Sequence, residues 1–159
     1  MNILNSPIAM LMVAFLALAA IQGVRAWLGY REVRADARSD HTFRAAEGMS
    51  GSELAYERYE RAYLRAHAPR AALYRAIGFA ALALVTFPAL RIADLVMTLV
   101  WRLSGGDRTF EPTFLVYQFG VFFMLIGLWA LTAYLVARRY HRGTSAGFEQ
   151  ELRRERGLL

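Results

Sequence analysis

Three long apolar stretches dominate the chain. Ile8 to Val24 holds one strongly polar residue, Gln22; Ile77 to Leu90 holds no charge; Phe114 to Ala137 is a charge-free run of 24 residues. A bilayer core takes roughly 20 apolar residues of helix. A helix of a water-soluble domain keeps a polar face, which the third stretch lacks. The pattern predicts an all-α membrane protein with three transmembrane helices. One is an N-terminal anchor at about 7–29, and the other two, at about 71–103 and 112–138, form an antiparallel hairpin, all in a single domain of 159 residues.

Local signals refine the elements. Ser6-Pro7 reads as a helix start, a hydroxyl cap before proline at the first helical position. No breaker follows before Ser39, so the first helix is expected to leave the membrane and continue to about Arg38. In the connection 30–70, Ser50-Gly51-Ser52-Glu53 matches a capping box, which predicts an additional cytoplasmic juxtamembrane helix at about 51–68. Along it Tyr56, Tyr59, Tyr63 and Ala66 share one face, with Glu57, Arg58, Glu60, Arg61 and Arg65 on the others. The tyrosine face suits either anionic headgroups or a partner as an interfacial helix, or packing on the chain's own helices. The second membrane helix, at about 1.5 Å per residue, is longer than the hydrocarbon core, so it should tilt, kink at Pro88 or project. Ser104-Gly105-Gly106-Asp107 is a turn, and Glu111-Pro112 is the expected opening of the third helix.

Charge adds orientation. All 19 basic residues are arginine. Arg25, Arg31 and Arg34 follow the first apolar stretch, Arg70 and Arg75 precede the second, and Arg138, Arg139 and Arg142 follow the third. Arginine retained on the cytoplasmic side sets topology. All three clusters predict an outside N-terminus and a cytoplasmic tail, 139–159, in a bacterial inner membrane. The all-arginine, alanine-rich composition suits a GC-rich bacterial source. Ala17-Leu18-Ala19 resembles a leader cleavage site, but no basic residue precedes the run, and Arg25 follows it as in an anchor. The clusters are also expected to meet anionic headgroups. Nothing in the pattern points to nucleic acid.

Candidate chemistry is sparse. Arg91 and Asp94 are the charges set well inside an apolar helix. Three residues apart, they share a helix face. Gln118 falls at similar depth on the next helix. An intramembrane charge is a functional-site hypothesis by default. Arg91, Asp94 and Gln118 could line a proton, ion or quinone path. The preferred expectation is an ion pair that fixes helix register or meets a partner, because the inner halves of these helices offer almost no further polar groups. His41, His67 and His141 all lie outside the apolar blocks, which leaves no axial ligand for an intrinsic haem; no cofactor or metal is expected. There is no cysteine, no phosphate loop, no His-Glu-x-x-His and no nucleophile elbow. Arg65-Ala66-His67 before a membrane helix resembles, over those residues alone, the MAPEG glutathione-linked membrane enzymes. Pro69 and Ala72 stand where that family's pattern has asparagine and glutamate, so no residue role carries over.

Small residues invite helix packing: Ala19 with Gly23, Ala76 with Ala80, and Gly120 with Gly127. The expected function is therefore that of an accessory, structural helix-packing subunit of a larger energy-converting or transport complex, with the lipid bilayer and other membrane subunits as partners. The alternative is a small homo-oligomeric transporter or channel component working through Arg91, Asp94 and Gln118.

Overall fold

The computed structural model describes residues 7–112, 114–143 and 147–158. Among these the chain is helical, without strands. Five helices follow in order: α1 Pro7–Ala46, α2 Tyr56–His67, α3 Arg70–Leu103, α4 Leu115–Arg142 and α5 Phe148–Glu155. Three of them, α1, α3 and α4, are long and apolar enough to cross a membrane, with hydropathies of 2.2, 1.9 and 2.1 over their most apolar segments. Packing divides the chain into two compact units, Met1–Ala20 with Arg75–Arg138, and Ile21–Tyr74 with Arg139–Leu159.

Several boundaries differ from expectation, each for a local reason. Ser6, the expected first cap, lies outside the described residues. Helix α1 runs through Ser39 to Ala46. Its polar end bonds to itself: Thr42 Oγ1 donates to the Ser39 carbonyl at 2.8 Å, and Arg44 pairs with Asp40 one turn earlier at 3.1 Å. The stop comes at Gly48, with φ 63°, after which the Met49 N–H reaches back to the Arg44 carbonyl at 2.9 Å. The capping box does not form. Gly51 adopts φ 103°, which a helix cannot use, and the Glu53 carboxylate accepts the Gly51 N–H at 2.8 Å, closing a turn instead. Helix α2 starts only at Tyr56, after Ala55, with no side-chain cap.

In the first unit α3 passes through Pro88 without a break. After Leu103, Gly105 and Gly106 take φ 75° and 80°, and the Gly106 N–H bonds the Trp101 carbonyl at 3.0 Å. A short 3-10 turn, Arg108–Phe110, follows under the Asp107 carboxylate, which accepts the Thr109 N–H at 2.8 Å. That turn postpones α4 to Leu115, beyond the expected opening at Glu111-Pro112. Helices α3 and α4 then run antiparallel. Asp94 meets Tyr117, Thr86 meets Trp129 and Gly78 meets Val136, so numbers fall on one helix as they rise on the other. The buried stripe of α3 is mostly small: Ala83, Thr86, Ala89, Ala93 and Met97. Small side chains let helix backbones approach where no water is present to drive apolar burial. From α1, Phe15 completes this unit, set edge-on to Trp129 at 5.5 Å and stacked with Phe79 at 6.4 Å.

The second unit has its own small core. Helix α2 buries Tyr59 and Ala62 against Leu152 of α5, with Leu54, Tyr63 and Phe148 around them. Both helices are strongly two-faced, and each covers the other's apolar stripe. Their outer edges are joined by ion pairs of Arg65 with Glu155 at 2.9 Å and Arg61 with Glu155 at 3.3 Å, and Arg156, just past α5, pairs with Glu53, ahead of α2, at 2.6 Å.

Candidate functional site

Polar side chains collect in two places. In the first unit, the Asp94 carboxylate accepts a hydrogen bond from the Tyr117 hydroxyl, which also lies 3.2 Å from Thr98 Oγ1. Deeper along the same pair of helices, the Trp129 indole N–H donates to Thr86 Oγ1 at 3.1 Å, while Thr86 donates to the Leu82 carbonyl at 2.7 Å. On α3 the stretch between these two groups carries buried Ala89 and Ala93.

Arg91, Asp94 and Gln118, expected together, have different surroundings. Arg91 makes no ion pair with Asp94 among the described residues; its guanidinium lies 5.2 Å from the centre of the Phe87 ring. Helical side chains lean toward the N-terminus, which carries the long arginine back to Phe87 one turn earlier. Asp94 is too short to follow and is held by Tyr117. Gln118 sits one position beyond Tyr117, about 100° around the helix. Tyr117 is buried and Gln118 is exposed. Depth along the helix was legible in the sequence; the phase that selects Tyr117 over its neighbour was not. The signal that could have found Tyr117 is its hydroxyl, rare in these spans, at the same depth as Asp94.

In the second unit the tyrosine face packs on the chain itself, one of the two covers expected for it. Tyr59 is fully buried, and Tyr56 and Tyr63 are half-buried, against the chain itself. The Tyr59 hydroxyl donates to the Asp40 carboxylate of α1. Its ring meets His41 at 4.9 Å and Phe148 at 5.6 Å; Tyr63 meets Phe148 at 5.2 Å and Tyr56 meets His41 at 5.7 Å. Residues of α1 and α5 thus contact this face. Burial raises the Tyr59 phenol above its ordinary range, reinforced by its bond to Asp40, and burial raises Tyr63 too. Arg44 ties the layers together: Nε to Asp40 at 3.1 Å, Nη1 to the Ser50 carbonyl at 3.1 Å, Glu149 at 3.5 Å, and its guanidinium over Phe148 at 5.1 Å. Sequence reasoning treated 139–159 as a plain tail and missed α5. Eight residues are too few for periodicity, but Glu149 and Glu151 in its first turn and Arg153 and Arg154 in its last suit a helix dipole.

Of the expected packing residues, Gly120 lies against Met97, close enough that a Cβ there would meet its thioether. Ala19, Ala76 and Ala80 are half-buried. Gly23 and Gly127 have open space around them. Another close approach falls at Gly29, where a Cβ would lie 2.9 Å from Pro69 Cγ. The histidines serve local structure: His41 Nε2 is 3.2 Å from the Leu54 carbonyl, and His67 Nδ1 is 3.2 Å from the Tyr63 carbonyl. Among the described residues no three acidic or histidine side chains are grouped to hold a metal ion.

No protein-family model, no characterised protein and no solved structure matches this chain.

Proposed function

We propose that the chain is an accessory, helix-packing subunit of a larger energy-converting or transport complex in a bacterial inner membrane, with its N-terminus outside and its second compact unit on the cytoplasmic side. One observation carries this reading. The three membrane-length apolar segments bury only 0%, 22% and 6% of their residues within the chain, so much of that surface awaits lipid or other helices. Arg91 supports helices over lipid alone as part of the cover. It is exposed, sits well inside a mostly apolar helix and has no carboxylate partner among the described residues. A guanidinium at such a position is stabilised by an acid or carbonyl supplied from a neighbouring chain. The arginine clusters at one end of α1, α3 and α4 support the orientation.

The transporter alternative has weaker support. Its three residues do not form one cluster, and the polar groups of the first unit are separated by buried alanines.

The test is extraction of the tagged full chain in a mild detergent, followed by quantitative mass spectrometry of what elutes with it. A stoichiometric membrane partner, lost in Arg91→Leu, is the expected result. Elution as a homo-oligomer alone, with proteoliposome flux that Asp94→Asn abolishes, would replace this reading with the transporter.

A further inference from the structure

The second unit contains a hollow of about 520 Å³ that the tyrosine core does not use. Four arginines line it, Arg65, Arg70, Arg142 and Arg154, with a single acid, Glu151. They converge from four elements: the last turns of α2, α4 and α5, and the first residue of α3. Arg65 is committed to Glu155 at 2.9 Å. Arg70, Arg142 and Arg154 have no carboxylate partner among the described residues.

Helix dipoles explain some of these charges singly. An arginine in a last turn offsets the negative end of its own helix, which accounts for Arg65, Arg142 and Arg154. Arg70 has no such account. It opens α3, where the helix end is already positive and a cation is unfavourable. It is nevertheless held close, for its guanidinium lies over the α-carbon of Gly143, where any side chain would collide with it. Glu151 is the second anomaly. It is 6% exposed, and its Oε2 accepts no hydrogen bond among the described residues, lying 3.6 Å from Arg65 Nη1, an ion-pair distance beyond hydrogen-bond reach. A ligand that is both an anion for the arginines and a hydroxyl donor for Glu151 answers both anomalies. A phosphate monoester is such a ligand: with a second ionisation near pH ~6 it carries one to two negative charges and retains a P–OH in its monoanion. Guanidinium matches its oxygens in paired geometry.

We propose that this arginine-lined hollow is a binding site for a phosphate monoester, with Arg70, Arg142 and Arg154 on its oxygens and Glu151 on its hydroxyl. The ester can be the headgroup of a phosphomonoester lipid or a free phosphorylated solute, since both present the same group. The site is independent of the subunit reading, because it is complete within this chain.

Binding is measured on the full chain in neutral detergent micelles doped with phosphatidic acid or, as a charge control, with phosphatidylglycerol, a diester lacking the P–OH. Glycerol 3-phosphate in solution is the competitor. Phosphatidic acid should bind about tenfold or more tightly than phosphatidylglycerol, and Arg142→Gln and Arg154→Gln should each weaken it about tenfold or more. Arg58→Gln, an exposed arginine of the same unit outside the hollow, should leave it unchanged. Arg142 and Arg154 are exposed, so their variants should keep the α2–α5 core, which limited proteolysis verifies. Full competition by glycerol 3-phosphate at matching concentration assigns the site to a soluble ester; no competition assigns it to the lipid. Equal binding of the two lipids, or equal loss in Arg58→Gln, means general attraction of charge and overturns the site, as does the absence of binding to all three probes.

Discussion

Tyr59→Phe isolates one hydrogen bond in the second unit. The ring stays, so its packing on His41, Phe148 and Leu152 is unchanged, and only the donation to Asp40 is lost. A hydrogen bond to an ionised group contributes roughly 1.5–3 kcal/mol. Asp40 keeps Arg44 at 3.1 Å, and its side chain is 32% exposed, so water can take the vacated lone pair. The expected cost is therefore smaller, about 1–2 kcal/mol. Tyr59→Ala should cost about 3–5 kcal/mol, because it also empties a fully buried site. Hydrogen exchange of the full chain in detergent, resolved by mass spectrometry, reads the effect: amides of α2 and α5 should exchange roughly 5–30 times faster in Tyr59→Phe. A double-mutant cycle with Asp40→Asn should give a coupling of about 0.5–2 kcal/mol. Additive single effects, or unchanged α5 exchange in Tyr59→Phe, would refute the bond as a determinant of how α2 and α5 are held.

Alkaline pH should loosen the same unit. The Tyr59 phenol is raised in the fold, so the stability it contributes is whole below the unfolded tyrosine value of about 10 and falls as pH climbs above it; phenolate absorbance should show a late-titrating component, to which Tyr63 also contributes, that Tyr59→Phe diminishes. Gly29→Ala sets a Cβ 2.9 Å from the Pro69 ring and should cost about 1–3 kcal/mol, read as faster proteolysis near α2, whereas Gly23→Ala meets open space and should be neutral. In the first unit, Asp94→Asn and Tyr117→Phe should be non-additive in thermal unfolding, while Asp94→Asn and Arg91→Leu should add within about 0.5 kcal/mol, since Arg91 packs on Phe87 and forms no ion pair with Asp94 among the described residues.

The sequence alone determined the three long apolar helices, because a span needs only length and hydropathy, both of which are one-dimensional. It also placed the turn at Ser104–Asp107 and the separation of α2 from α3 near Pro69, because glycine and proline act on their own backbone. The capping box at Ser50–Glu53 misled for a related reason: the motif is local, but Gly51 and the pull of Arg156 on Glu53 favour a turn. Partners were decided only by the tertiary structure. Asp94 could have met Arg91, Gln118 or Tyr117 by depth, and helix phase together with the close packing of Gly120 on Met97 selected Tyr117. Tyr56, Tyr59 and Tyr63 carried the periodicity of a face that must be covered, but periodicity does not name the cover. Helix α5 supplies much of it from a segment about 90 residues away, too short and too charged to declare itself as a helix until Leu152 and Phe148 are seen against Tyr59. The arginines of the second unit likewise read as orientation signals one by one; only folding brings Arg70, Arg142 and Arg154 around one hollow.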